Sequence, residues 1–177
     1  MYRAVQLVEL RKWSVLSDPD LTREAYARID CAGAENCGCE ACFNFATTRH
    51  LVYTPDMLEL FDCLGIDPLL EADVCHDRCL GAGHHTYTAS FFLVGRIADG
   101  PATTCARTGA TETRSLESAG PDARASVGFC ADATDAPDAF HGLPVILMEV
   151  SVVAPWVSNA EEPLALEAAG IVGERLL

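Results

Sequence analysis

Tyr87-Thr88-Ala89-Ser90-Phe91-Phe92-Leu93-Val94-Gly95-Arg96-Ile97 carries the plainest two-residue period in the chain. Tyr87, Ala89, Phe91, Leu93 and Ile97 fall on one face of a β-strand, with Thr88, Ser90 and Arg96 on the other. Phe92 and Val94 share that second face, so the pattern predicts a strand partly covered on both sides. Downstream, Ala125, Val127 and Phe129 alternate as a second, shorter strand. Pro144 to Ala154 reads as the strongest strand, with Ile146, Met148, Val150 and Val152 on one face and Pro155-Trp156 ending it.

Upstream of Gly81-Ala82-Gly83 the period is helical. Thr54 offers an N-cap oxygen, and Pro55 suits the first helical position, whose N–H has no partner anyway. Met57, Leu60, Phe61 and Leu64 then share one helix face, and Gly65 follows as the natural left-handed terminator. Cys63 falls in this helix and reads as a core residue. Asp67-Pro68 repeats the start signal and predicts a second, shorter helix through Leu69, Leu70 and Ala72. Ser17-Asp18-Pro19-Asp20 is another helix start, continued by Leu21, Ala25 and Ile29. The segment up to Trp13 fits neither period and reads as a strand or a short helix.

Helices first and strands later, without alternation, predict an α+β fold. The expectation is an antiparallel sheet of three to four strands, with short N-terminal helices packed on one face. The length of 177 residues suits one domain. Within it the chain divides into a Cys-rich segment (1–50), a helix pair (51–80), a sheet (86–157) and a tail (158–177). Residues 99–124 are poor in large apolar groups and read as a long, mobile loop inside the sheet region.

Acidic residues number 26 against 12 Lys and Arg, for a formal charge of −14. Residues 1–50 are nearly balanced, with 7 acids and 6 bases, so almost all of the excess follows them. This argues against binding nucleic acid or an anionic membrane surface, both of which need Lys and Arg. Colloidal stability accounts for the excess in the plain reading, and a face meeting a basic protein partner in the sharper one. Eleven of the twelve basic residues are Arg, which together with abundant Ala, Asp and Gly suggests a GC-rich bacterial source. The charged N-terminal stretch does not read as a secretory signal, and no run approaches the length of a membrane span. A cytoplasmic protein with reduced thiols is the expectation.

Nine cysteines therefore need another explanation. Cys31, Cys37, Cys39 and Cys42 lie within twelve residues, the last three as C-x-C-x2-C. Thiolates suit zinc, which prefers four tetrahedral ligands, so this set is the first candidate for a structural zinc site. Gly38 relieves the bend between two ligands one residue apart. An iron–sulfur cluster, or a loop of buried or reactive thiols, accounts for the same residues. A second, weaker group is Cys75, His76, Cys79, His84 and His85. On a helix Cys75 and Cys79 share a face, and a histidine from the Gly-rich turn joins them. Cys105 and Cys130 stand alone.

The familiar catalytic patterns are missing. There is no GxSxG elbow, no phosphate-binding loop and no HExxH, and Gly81 and Gly83 do not open a helix after a strand.

Cys37-Gly38-Cys39-Glu40-Ala41-Cys42-Phe43-Asn44-Phe45, Leu64-Gly65-Ile66-Asp67-Pro68, Phe91-Phe92-Leu93-Val94-Gly95 and Val153-Ala154-Pro155-Trp156-Val157 follow one another in that order. The order resembles an uncharacterised family of small bacterial proteins with a CxCxxCxNF, LGIDP, FVG and PWV signature. Where that family carries a Tyr-Gly-Gly-Trp-like run, this chain reads His85-Thr86-Tyr87-Thr88-Ala89-Ser90. The resemblance implies that Cys37, Cys39 and Cys42 belong together, and it implies no activity.

Three functions fit these features. The first is a zinc-stabilised, non-enzymatic module that binds a protein partner; an immunity or inhibitor protein for a basic toxin or nuclease is its specific form. The second is a metal-dependent hydrolase or thiol redox enzyme using the Cys75–His85 region. The third is a structural subunit of a larger complex.

Overall fold

The computed structural model of the chain describes residues 5–101, 117–118, 125–159 and 162. Most of the expected loop at 99–124 and most of the tail at 158–177 lie outside the described residues, although Glu117–Ser118 within that loop forms a short strand. Among the described residues, four α-helices and an antiparallel sheet make an α+β arrangement. The strands are β1 (Gln6–Leu10), β2 (Trp13–Ser17), β3 (Asp73–Gly81), β4 (His84–Asp99), β5 (Glu117–Ser118), β6 (Ala125–Cys130) and β7 (Val145–Pro155). The helices are α1 (Pro19–Tyr26), α2 (Gly33–Cys37), α3 (Glu40–Val52) and α4 (Pro55–Leu64).

Among the described residues the sheet has seven strands, not three to four, in the order β1-β2-β4-β7-β6-β5 with β3 also beside β4. β4 is central because it is long. One edge pairs with β7 from His84↔Pro155 to Val94↔Val145. The other edge is divided between β3, which takes its first half, and β2, which takes its second. The additional strands escape the sequence pattern for a physical reason. β1 and β2 form a hairpin at the sheet margin, where Leu7 stays 55% exposed while Val8 and Leu10 pack against the core. Apolar residues on both faces of β1 leave no clean alternation to detect.

Register places Phe91, Met148 and Phe129 side by side on one face, with Leu93, Val150 and Val127 on the same side. Phe61 of α4 packs on Phe91 at 4.9 Å between ring centres, and Phe45 of α3 on Tyr87 at 5.5 Å. On the opposite face Phe92 meets Phe140, and the Tyr26 hydroxyl of α1 donates to the Phe92 carbonyl at 3.0 Å. Both faces of β4 are thus buried at its centre, as the pairing of Phe91 with Phe92 in sequence suggests.

α4 takes its ends from local chemistry. Thr54 Oγ1 accepts the Met57 N–H, Pro55 opens the helix, and Gly65 closes it at φ +75° while the Ile66 N–H returns to the Phe61 carbonyl at 2.9 Å. Cys63, expected in the core, is exposed on this helix. The second helix expected from Asp67-Pro68 does not form. Asp67 caps a single turn through the Leu69 N–H, and by Ala72 the backbone is bonded to the Ser90 carbonyl of β4. Too few residues separate Pro68 from that pairing for a helix to propagate.

Candidate metal centre

α2 ends at Cys37, Gly38 turns the chain at φ +67°, and Cys39 occupies the N-cap of α3. A left-handed residue between two helices folds the C-x-C-x2-C segment onto itself. The Cys37 thiol donates to Cys39 Sγ at 3.4 Å, and Cys39 Sγ accepts the Cys42 N–H at 3.4 Å. All three sulfurs lie within 4.8 Å of one another, a geometry able to hold a metal ion. Cys37 and Cys39 are exposed and Cys42 is buried.

Cys39 and Cys42 differ in proton affinity. The Cys42 N–H holds Cys39 below the ordinary thiol value, as a helix N-terminus does for a thiolate. Burial pushes Cys42 up. Cys39 therefore ionises before Cys42, whose thiolate would need a bound metal ion to stabilise it.

Cys31, the fourth expected ligand, is not brought into this group. Its thiol donates to the Ala32 carbonyl at 3.6 Å and to Glu35 Oε2 at 3.8 Å, and desolvation followed by the Glu35 charge pushes it up. Glu35 belongs to a second framework. Arg49 of α3 donates to both oxygens of buried Glu71, at 2.9 and 3.1 Å, and to Glu35 Oε1 at 2.7 Å. This clamp fixes α2 against α3. Arg49 holds Glu35 below the usual carboxylate value, whereas burial pushes Glu71 up.

Asn44 ties the thiol-bearing end of α3 to the last strand. Its Nδ2 donates to Tyr87 Oη at 3.1 Å and to the Pro155 carbonyl at 2.9 Å. Its Oδ1 accepts the N–H groups of Val157 and Ser158. One fully buried side chain thus links the CxCxxCxNF segment to Pro155-Trp156-Val157.

The second group lies in β3 and β4, not on a helix. A turn of left-handed residues, Gly81, Ala82 and Gly83, makes a hairpin of 73–99. A β-bulge between His76 and Arg78 removes the shared face that the i, i+4 spacing of Cys75 and Cys79 would keep in a regular strand. Cys75 pairs with Thr88 and is exposed, while Cys79 pairs directly with His85. His84 Nδ1 is bonded to the Ala82 carbonyl within the turn. Cys79, His85 and Glu162 form the second set with ligand atoms all within 4.8 Å. His76 joins from the side, its Nε2 at 2.9 Å from His85 Nδ1. Burial, and then the neighbouring His85, pulls His76 below its ordinary value. Glu162 carries no local signal in the sequence, being one of 26 acids and far from either motif.

Tyr87 lies beside both groups. Its ring stacks on His76 at 5.2 Å, and its hydroxyl, pushed up to about 12 mainly by burial, bonds Asn44. A surface depression lined by Arg23, Tyr26 and Ile66 holds neither group.

Cys130, read from the sequence as an isolated thiol in a reducing compartment, is disulfide-bonded. Cys105 lies outside the described residues. No helix of the described residues is long and apolar enough to cross a membrane. Comparison with protein-family models, curated proteins and solved structures found no match to the chain.

Proposed function

We propose that the chain is a metal-binding, non-enzymatic interaction module in which Cys37, Cys39 and Cys42 hold zinc. The convergence of three sulfurs at the α2–α3 junction carries this reading. Soft thiolate donors favour zinc over hard cations. The metal stiffens a junction that otherwise depends on one left-handed glycine and two weak sulfur hydrogen bonds. The Arg49 clamp on one side and Asn44 on the other then transmit that order to α2 and to the end of β7. The net charge of −14 supports a basic protein as the partner, since like-charged surfaces repel it and opposite charge steers association.

A chelator titration followed by thermal unfolding tests the structural role of the metal. Zinc removal is expected to lower the melting temperature, and re-addition to restore it. An unfolding transition indifferent to zinc and chelator refutes the reading.

A further inference from the structure

We propose that Cys79, His85 and Glu162 form a second zinc-class site, separate from the three-thiol cluster and open at one coordination position. Cys79 Sγ and His85 Nε2 converge on the same carboxylate oxygen, Glu162 Oε1, at 3.5 and 3.0 Å. Zinc bond lengths of about 2.0–2.3 Å separate neighbouring tetrahedral ligands by roughly 3.3–3.8 Å. The two spacings to Glu162 Oε1 lie in or within a few tenths of an ångström of that range, and Cys79 Sγ and His85 Nε2 lie within 4.8 Å of each other. Two of the donors are register partners across a hairpin, so the backbone itself fixes them side by side.

The imidazole is prepared for this role. His85 is fully buried, its ring 4.9 Å from that of Trp156, and the Trp156 backbone N–H donates to the Gly83 carbonyl in the hairpin turn. His76 Nε2 engages His85 Nδ1 at 2.9 Å. Without metal, Nε2 donates to Glu162 Oε1; with zinc bound, the metal would replace that proton and Nδ1 would donate to His76 Nε2, the arrangement that outer partners impose on metal-bound histidines. Cys79 is half-buried and the Glu162 side chain is 40% exposed, so the solvent side of the triad remains accessible. Three mixed S, N and O ligands with one open side match exchangeable rather than closed structural zinc sites. The fourth position falls to water or to an anionic ligand.

The full-length chain is equilibrated with excess zinc, desalted and assayed for metal per chain. Glu162→Gln preserves the shape of the side chain and removes its charge. Cys79→Ser/Glu162→Gln and Cys37→Ser/Cys39→Ser are compared with it. The expected outcome is about two zinc per chain for the unaltered protein and about one for each double variant. Histidine ring nitrogen resonances supply a readout independent of stoichiometry and folding: zinc should shift His85 Nε2 in the unaltered protein and leave it in place in Glu162→Gln. Unchanged metal content in Cys79→Ser/Glu162→Gln, or a His85 Nε2 resonance insensitive to zinc, overturns the second site. Loss of zinc only from Cys37→Ser/Cys39→Ser leaves the three-thiol reading standing alone, and loss only from Cys79→Ser/Glu162→Gln does the reverse.

Discussion

Asn44 Oδ1 accepts the backbone N–H of Val157 at 2.7 Å, joining residues 113 positions apart in the chain. The bond places the N-terminal half of the thiol-bearing helix α3 against the end of β7, the neighbour of the central strand. Three further hydrogen bonds from the same side chain reach Tyr87, Pro155 and Ser158. Asn44→Leu leaves several buried polar groups unpaired and is expected to cost about 2–4 kcal/mol in chemical denaturation. It should also weaken zinc retention by the three cysteines. A loss below about 0.5 kcal/mol would show that the link is dispensable.

The Arg49–Glu71 pair makes a contrasting prediction, because its two halves are not equivalent to their sum. Arg49→Met strands a carboxylate with no exposed side-chain surface and is expected to cost about 3–5 kcal/mol. Arg49→Met/Glu71→Gln removes the stranded charge and should recover part of that loss. Equal destabilisation by the single and double variants contradicts the clamp.

Acid should weaken the fold through Glu35. Arg49 holds this carboxyl below its ordinary value of 4.5, first by hydrogen bonding and then by charge. The unfolded chain therefore takes up the proton more readily than the folded one. The stabilisation is present above pH 4.5 and disappears as pH falls through the depressed folded-state value. Unfolding free energy measured against pH should show this fall, and Glu35→Gln should flatten it. An unaltered slope in the variant rules Glu35 out as its source.

Gly65 is a position where no side chain fits. Its backbone lies at φ +75°, and an added Cβ would stand 2.2 Å from the Pro19 carbonyl oxygen. Gly65→Ala is expected to cost about 2 kcal/mol or more, from left-handed strain together with the displaced α1–α4 contact. Thermal unfolding within about 1 °C of the unaltered protein would contradict this.

How much was readable in advance follows from how local each determinant is. Thr54, Pro55 and Gly65 specify both ends of α4 within twelve residues, and that helix forms as the pattern dictates. Alternation along 87–97 likewise places β4, because strand period and burial agree there. β3 was hidden because Cys75 and Cys79 suit helical spacing as well as strand spacing. Only pairing with β4 across a turn of three left-handed residues decides between them. The cysteine triad is local and legible, whereas Cys31 is near it in sequence alone and is drawn off by Glu35. Glu162 is brought to His85 from 77 residues away, and no short-range pattern encodes that meeting.

Thiol reactivity should follow the hydrogen bonding at the α3 N-terminus. In metal-free protein near neutral pH, a mild alkylating reagent is expected to modify Cys39 well before Cys42, as read by peptide mass spectrometry. The first is a favoured thiolate on the surface, and the second is buried and protonated. Faster labelling of Cys42 would invert the assigned order.

The most direct test is the zinc content of the full chain, purified without a metal-affinity tag, beside that of Cys37→Ser/Cys39→Ser, with reactive thiols counted in both. The account predicts that the variant loses about one zinc per chain and that Cys42 becomes reactive when the metal leaves. Equal zinc in the two proteins, or freely reactive Cys37 and Cys39 in the zinc-treated chain, contradicts a metal centre at the α2–α3 junction.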